Sequence, residues 1–271
     1  MAQAQVPPLH SARGPMPNTP WIVVEPTPRW VRNFFGGETI ADSRRTMLLR
    51  ENRVLPVYYF PKQDVRMNLL QPTGETTHDE LKGEADRFTI RAGGRVAEDA
   101  AWSFKHPIEE WPEITEHVAF TWASLDKWME EEEEVFVHPR DPYKRVDVMP
   151  SSRHVRIEWN GQTIAESRQA RLLFETGLPT RYYLPPEDVR VDLLQATDTS
   201  SRCPYKGLAS YWSVQVGDRV GKDFVWSYPN PIPECPKIKG LMCFFNERVD
   251  AIYVDDELQP KPQTRWSQPA E

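Results

Sequence analysis

The hexapeptide Thr39-Ile40-Ala41-Asp42-Ser43-Arg44 returns almost unchanged as Thr163-Ile164-Ala165-Glu166-Ser167-Arg168, an offset of 124 residues. Further matches at the same offset are Tyr58-Tyr59 with Tyr182-Tyr183, Asp64 with Asp188, Lys82-Gly83 with Lys206-Gly207, Trp102 with Trp226 and Asp126 with Asp250. A constant offset over so long a stretch indicates an internal duplication. The chain is therefore predicted to contain two homologous domains in tandem.

The repeats predict the domain bounds. The first copy should cover residues 28–138 and the second copy residues 153–258. Residues 139–152 are rich in proline and charge and suit a linker. Residues 1–27 and 259–271 are polar, proline-rich tails, expected to be disordered unless they dock on a domain. Because a duplicated chain can mimic a symmetric dimer, we expect an intramolecular pseudo-dimer of the two copies.

Within each copy the pattern favours β structure. Val155, Ile157 and Trp159 alternate with polar residues, which is typical of a half-buried strand. Asn160-Gly161 follows and is the favoured pair for a tight hairpin turn. Tyr182-Tyr183-Leu184 is a further strand. With 26 prolines in the chain, long helices are disfavoured. The predicted fold is mainly β, with short antiparallel strands and few helical turns.

Composition excludes several classes of partner. The chain of 271 residues carries 40 acidic and 33 basic residues, a formal charge of −7. A nucleic-acid-binding protein needs a basic surface, so no nucleic-acid partner is predicted. No apolar run approaches the roughly 20 residues that span a bilayer, so no membrane partner is predicted either. Residues 1–20 contain no apolar segment of the secretory type, which favours a cytoplasmic location.

Cysteine and histidine spacing predicts no metal and no cofactor. The three cysteines are Cys203, Cys235 and Cys243. An odd number without a Cys-x-x-Cys pair indicates neither a disulfide framework nor a zinc site, and it suits a reducing cytoplasm. The six histidines show no His-x-x-x-His spacing.

Five segments of the second copy resemble a known family. They are Ser167-Arg168, Tyr182-Tyr183-Leu184-Pro185, Asp188-Val189-Arg190, Cys203-Pro204-Tyr205-Lys206-Gly207 and Trp226-Ser227-Tyr228-Pro229. Together they resemble the domain of unknown function 427 family, over about four fifths of the chain when both copies are counted. The resemblance implies two tandem domains of the β-tent, or Mss4-like, type. It implies no established activity.

The first copy departs from the family pattern in one loop. It has His78-Asp79-Glu80-Leu81-Lys82-Gly83 where the second copy has Arg202-Cys203-Pro204-Tyr205-Lys206-Gly207. The first copy is therefore expected to be degenerate. Other β-tent proteins often carry zinc on paired cysteines, and because such pairs are missing here zinc is not carried over.

Cys203 and Lys206 are the first candidates for chemistry. A cation beside Cys203, such as Arg202 or Lys206, would favour a reactive thiolate. The alternative is a buried, inert cysteine. Lys206 could bind an anionic ligand, or it could be a surface lysine beside a turn. Asp188 and Arg190 share one face of an extended segment, where they could form a structural ion pair or Arg190 could hold a carboxylate or phosphate.

Aromatic residues suggest a pocket. Tyr182 and Tyr183 point to opposite faces of their strand, so one should lie in the core while the other lines a pocket. Trp212, Trp226 and Tyr228 add rings on the following hairpin. The alternative is that these rings form the aromatic core of a small β domain.

The leading hypothesis is that the second copy binds a small anionic or nucleotide-like molecule. Tyr183, Trp212 and Trp226 would form the walls, with Arg190, Lys206 and Cys203 at the polar end. Further ligand-binding candidates are Arg168, Tyr182, Tyr205 and Tyr228. The second hypothesis is an enzyme that uses Cys203, Lys206 and Asp188, or a carboxylate such as Glu175. The third is a non-catalytic interaction module.

Overall fold

The computed structural model describes residues 21–52, 54–107 and 114–267. The chain divides between Glu133 and Glu134 into two compact units. Within the described residues each unit contains a seven-stranded and a four-stranded antiparallel sheet. The prediction of a mainly β protein with two tandem domains is therefore confirmed. No helix in the described part of the chain is long and apolar enough to cross a membrane.

The first domain is built from the first eleven strands. They are β1 (Ile22–Pro26), β2 (Val31–Phe35), β3 (Glu38–Ser43), β4 (Met47–Glu51), β5 (Val57–Pro61), β6 (Leu70–Asp79), β7 (Gly83–Ala92), β8 (Arg95–Pro107), β9 (His117–Phe120), β10 (Lys127–Glu130) and β11 (Glu133–Glu134). The order in the large sheet is β1-β4-β5-β9-β8-β7-β6, and in the small sheet β11-β10-β2-β3. The described 3₁₀ turns are Lys62–Asp64, Met67–Leu69 and Trp122–Ser124.

The second domain repeats this plan. Its strands are β12 (Val146–Pro150), β13 (Val155–Trp159), β14 (Gln162–Ser167), β15 (Arg171–Glu175), β16 (Arg181–Leu184), β17 (Leu194–Cys203), β18 (Gly207–Val216), β19 (Arg219–Ser227), β20 (Met242–Phe244), β21 (Ala251–Val254) and β22 (Glu257–Leu258). The orders are β12-β15-β16-β20-β19-β18-β17 and β14-β13-β21-β22. The 3₁₀ turns are Pro186–Asp188, Val191–Leu193 and Pro236–Ile238.

The predicted hairpin turn at Asn160-Gly161 joins β13 to β14. Asn160 has a φ of 49° and Gly161 a φ of 71°. A two-residue turn with both φ values positive matches the twist of the strands that it joins, and asparagine and glycine adopt this conformation most easily. This hairpin turn fixes the pairing of β13 with β14. In β13 the residues Val155, Ile157 and Trp159 are all buried, as their alternation predicted.

The large sheet of the second domain is apolar on both faces. Its inner face packs on the small sheet, and this inner core includes Ile157, Ile164, Tyr182, Val214, Phe244 and Ile252. Its other face carries a separate outer cluster that includes Leu173, Tyr183, Ala209, Trp226, Tyr228 and Phe245. Because Ile238, Ile232 and Trp266 also join the outer cluster, this face is covered by the loop after β19 and by the C-terminal segment.

Each large sheet ends in a long exposed strand. β6 and β17 pair on one side only, and most of their residues are exposed. The pairing of β6 with β7 shifts register between Pro72 and Thr76, and that of β17 with β18 shifts between Ala196 and Ser200. Such irregularities bend an edge strand away from a flat conformation.

The strands extend beyond the predicted domain bounds. β1 lies inside the segment 1–27 that was predicted to be a tail, and residues 1–20 of that segment lie outside the described residues. β12 lies inside the predicted linker 139–152 and pairs with β15. The linker prediction is thus wrong for this strand, because Pro150 occupies the end of an edge strand, where a missing donor is tolerated.

Candidate functional site

The two neighbouring tyrosines of β16 are both core residues. Tyr182 belongs to the inner core and Tyr183 to the outer cluster, so their side chains do point to opposite faces. Tyr183 is only 1% exposed, and its hydroxyl accepts a hydrogen bond of 3.0 Å from Nε1 of Trp226. The expectation that one tyrosine of this pair lines an open pocket is wrong, because the sheet is covered on both faces.

The predicted aromatic walls do not meet in one pocket. Trp212 packs against the inner core, whereas Trp226 and Tyr228 are buried in the outer cluster with Tyr183. The sheet therefore lies between Trp212 and the other rings. The alternative reading, an aromatic core of a small β domain, describes Tyr183, Trp226 and Tyr228 correctly.

Asp188 and Arg190 do not pair with each other. Asp188 accepts a hydrogen bond of 2.5 Å from Ser167 Oγ, which fixes the turn after β16 against β14. Arg190 is exposed and forms two hydrogen bonds to Asp192, of 2.8 and 2.6 Å. Arg168 is also exposed.

A cleft of about 390 Å³ lies at Asp192, the partner of Arg190. Its lining comprises Asp192, Leu193, Leu194, Gln195, Gln215 and Gly217.

Lys206 belongs instead to a buried ionic cluster. Its ammonium donates to Oε2 of Glu175, and both side chains are at most 10% exposed. Lys144 Nζ lies 3.2 Å from the other oxygen of Glu175, and its side chain is 25% exposed. We refer to Lys144, Glu175, Cys203 and Lys206 as the lysine–carboxylate cluster. Its carboxylate is thus shared by two ammonium groups, one of them reachable from solvent.

Three separate elements bring the cluster together. Glu175 ends β15, where it faces Val146 of β12, and Lys144 lies two residues before Val146. Lys206 lies in the turn between β17 and β18. Four strands separate β15 from β17 in the sheet order, so the sheet must curve strongly for Lys206 to reach Glu175. This curvature places the hairpin turn over the end of β15.

Cys203 and Tyr205 lie at the accessible side of the cluster. Cys203 ends β17, is partly exposed, and lies three residues before Lys206. The Tyr205 hydroxyl accepts a hydrogen bond of 2.8 Å from the backbone N–H of Asp141. Lys144 Nζ lies 5.6 Å from the centre of the Tyr205 ring. A partly exposed thiol, a phenol ring and an ammonium group thus lie on the partly exposed side of the cluster, which we call its mouth.

The charges of the cluster stabilise one another. Burial acts to raise the pKa of Glu175, but the two lysines outweigh it and hold that pKa below its usual value. Burial likewise acts to lower the pKa of Lys206, but Cys203 and Glu175 raise it above its usual value. Glu175 and Lys206 therefore both remain charged at neutral pH. Burial raises the pKa of Tyr205 to about 12, so this phenol stays protonated.

The first domain has a related cluster with the opposite charge balance. Lys82 Nζ lies 2.5 Å from Glu51 and 2.9 Å from Asp79. Asp79 occupies the position of Cys203, so one lysine serves two carboxylates, whereas in the second domain two lysines serve one. Sequence reasoning noted Glu175 only as one possible carboxylate and missed Lys144. The recurrence of Glu51 and Lys82 at the constant offset is the signal that could have found the pair.

The other two thiols are buried. Burial raises the pKa of Cys235 to about 11 and also raises that of Cys243. All three cysteines are free. Within residues 21–52, 54–107 and 114–267, no three His, Cys, Asp or Glu side chains form a group that could hold a metal ion. The cysteines therefore do not fit the zinc site that other β-tent proteins imply.

The fold and the cluster define a duplicated β-sheet protein whose second domain holds a buried lysine–carboxylate centre beside an accessible thiol. A family model described as a domain of unknown function (DUF427) matches residues 23–131 and again residues 147–255. The chain belongs to this family and contains two tandem copies of its domain. Comparison with curated proteins gives no match.

Proposed function

We propose that the second domain binds a small anionic molecule at the mouth of the lysine–carboxylate cluster. The observation that carries this proposal is the charge balance of three side chains. Lys144 and Lys206 share the single carboxylate of Glu175, which leaves the three groups with one net positive charge. A positive charge in a partly desolvated site attracts an anion much more strongly than one in open water.

In this proposal the two lysines have different roles. Lys206 is buried against Glu175 and holds the carboxylate in place. Lys144 is more exposed and can direct an N–H bond toward a bound phosphate or carboxylate. The ring of Tyr205 lies next to Lys144. The centres of the Tyr205 and His138 rings are 5.9 Å apart. Planar groups stack on such rings, which supports a nucleotide-like ligand.

Thermal-shift measurements with inorganic phosphate, AMP and ATP test this proposal on the full chain. At least one of these anions should raise the Tm of the wild-type protein and leave Lys144→Met unchanged. Arg145→Met is the matched control, because Arg145 is an adjacent cation that pairs with Asp147 and lies outside the cluster. The proposal fails if none of the three anions shifts the wild type, or if Lys144→Met responds equally.

A second candidate function is thiol chemistry at Cys203. The observation that favours it is that Cys203 occupies the position of Asp79, whose carboxylate lies 2.9 Å from Lys82 in the first domain. The position is thus built to accept an anion, and a thiolate would balance the extra positive charge. Iodoacetamide should then alkylate Cys203 faster than the same cysteine in urea-unfolded chain, and Lys206→Met should slow the reaction. Equal rates in the folded and unfolded chain would exclude an activated thiol.

A further inference from the structure

The chain after β22 packs back on the second domain, and its last described residues meet it at Glu247 and Arg248. The hydroxyl of Thr264 donates a hydrogen bond of 2.6 Å to Oε1 of Glu247. Arg248 Nε donates one of 2.9 Å to the backbone carbonyl of Trp266. The indole of Trp266 is partly buried against the outer cluster. The tail that begins at residue 259 was expected to be disordered unless it docks on a domain, and its described part, up to residue 267, docks on the second domain.

Beneath this segment lies a charged pair that is almost fully buried. Arg181 NH1 and NH2 each lie 2.7 Å from an oxygen of Glu247. The Glu247 side chain is 0% exposed and that of Arg181 is 7% exposed. Burial acts to raise the pKa of Glu247, but hydrogen bonds from Arg181 and Thr264 lower it below its usual value. Arg181 and Glu247 therefore form an ionised pair joined by two hydrogen bonds, which lies under the C-terminal segment.

Aromatic rings surround the Arg181 guanidinium. Its carbon atom lies 5.6 Å from the ring centre of Trp226, 6.0 Å from that of Phe245 and 5.4 Å from that of Trp266. Cations within about 6 Å of a ring centre are attracted to it. Trp226 and Phe245 belong to the domain, whereas Trp266 is supplied by the C-terminal segment. We call the site formed by Arg181, Glu247, Trp226 and Phe245 the aromatic recess.

The segment that fills the recess is a small self-contained turn. The Thr264 N–H donates to Ser267 Oγ at 2.9 Å, and the Ser267 N–H donates to the Thr264 carbonyl at 3.0 Å. Between β22 and this turn lie Pro260 and Pro262 in a mostly exposed stretch. One turn with a single indole thus contacts the recess from the end of a polar spacer, which is how a tethered ligand is arranged.

The duplicated framework does not require this recess. At the constant offset, the first domain has Val57 in place of Arg181, Thr121 in place of Phe245 and Ala123 in place of Glu247. The same strands form there without the ion pair. The recess is therefore an addition specific to the second domain, and a buried ion pair such as Arg181–Glu247 is by itself weak evidence of a gain in stability.

We propose that the aromatic recess is a binding site for a planar aromatic group that also carries a hydrogen-bond acceptor, and that Trp266 is its tethered internal occupant. The ring would lie beside the Arg181 guanidinium, where the Trp266 ring now lies 5.4 Å away, next to the contacting rings of Trp226 and Phe245. The acceptor would take the hydrogen bond that Arg248 Nε now donates to the Trp266 carbonyl. A free ligand of this class competes with the C-terminal segment and displaces it.

Limited trypsin digestion of the wild-type chain tests the displacement. Arg265 is exposed and precedes Trp266, so trypsin can release the last six residues once the turn leaves the recess. N-acetyl-L-tryptophanamide provides both the ring and the carbonyl and should speed this release several-fold. N-acetyl-L-leucinamide should not, and a peptide substrate in the same tube corrects for effects on trypsin itself. Equal release with both amides at millimolar concentration would overturn the proposal.

A variant of the full chain gives an independent measurement. Trp266→Ala empties the recess, so N-acetyl-L-tryptophanamide should raise its Tm by about 2–4 °C and that of the wild type by less. Trp30→Ala removes a partly exposed tryptophan of the first domain and should not gain this response. Adding Lys144→Met to the Trp266→Ala chain should leave its rise in Tm with N-acetyl-L-tryptophanamide unchanged. This result would separate the aromatic recess from the anion site. An unresponsive Trp266→Ala chain that is folded would contradict the proposal, and if it does not fold the digestion of the wild type decides.

Discussion

Replacing Glu175 by glutamine removes the carboxylate that two lysines share. The Lys206 side chain is 10% exposed, so its ammonium would be left in a nearly dry site without a counterion. Removing one partner of a buried ion pair costs about 3–5 kcal/mol, because the remaining charge stays uncompensated. For a domain of this size the loss corresponds to a fall in Tm on the order of 10–20 °C. Lys144, which is more exposed, adds little to this cost.

The first domain provides a matched control. Glu51→Gln removes the corresponding carboxylate, but Lys82 keeps Asp79 at 2.9 Å. The expected loss is therefore smaller, about 1.5–3 kcal/mol, the value of a hydrogen bond to a charged group. The double variant Glu175→Gln/Lys206→Met should recover much of the lost stability, because a buried pair replaced by apolar groups is often tolerated.

Urea unfolding of the full chain, followed by tryptophan fluorescence, measures these losses. Calorimetry of the same variants assigns the change to one of the two domains if their transitions separate. The reasoning is refuted if Glu51→Gln costs as much as Glu175→Gln. It is also refuted if adding Lys206→Met to Glu175→Gln lowers stability further.

Three further changes have definite expected outcomes. The pKa of Glu175 is lowered in the folded state, so the stability that its ionised carboxylate contributes is fully present above about pH 4.3 and is lost as the pH falls through the lower, folded-state pKa. The urea midpoint of Glu175→Gln should therefore vary less between about pH 5 and 2 than that of the wild type, and an equal variation would contradict this. Gly93→Ala would place a methyl carbon 1.8 Å from a backbone carbonyl oxygen, whereas a methyl carbon at Gly94 would have nothing within 4 Å. Thermal unfolding should show a loss of stability above about 3 kcal/mol for Gly93→Ala and about 1 kcal/mol for Gly94→Ala, and equal losses would exclude the steric cause. Trp226→Phe removes the hydrogen bond to Tyr183 and part of a buried ring, so urea unfolding should show a loss of about 1–3 kcal/mol rather than none.

Local patterns in the sequence predicted the strands well. The alternation of Val155, Ile157 and Trp159 and the Asn160-Gly161 pair each depend on neighbouring residues only, and both appear in the structure as expected. β12 was missed because its prolines and charges resemble a linker, and its role as an edge strand depends on pairing with β15. That the two copies form a pseudo-dimer stays a prediction.

The site could be predicted only in part. Lys206 and Cys203 were chosen together because they lie three residues apart at one hairpin turn. The partner Glu175 lies 31 positions away, and the curvature of the sheet that joins it to Lys206 leaves no mark in a local pattern. The predicted pocket failed for a different reason. Trp212 and Trp226 lie in one hairpin, but Trp226 pairs with Tyr211 and Trp212 with Val225, so the alternation of side chains along each strand places the two tryptophans on opposite faces.

The exposed border strand β6 bears on how the molecule behaves in concentrated solution. A long, straight border with free amide groups would recruit strands from other molecules and begin a fibril. Here Pro72 lacks an amide hydrogen, Gly74 has a φ of 82°, and the pairing is interrupted before Thr76. This border is therefore a poor template for growth. Replacing the two interrupting residues by extended, apolar ones, for example Pro72→Val with Gly74→Val, should make this border a better template for such growth.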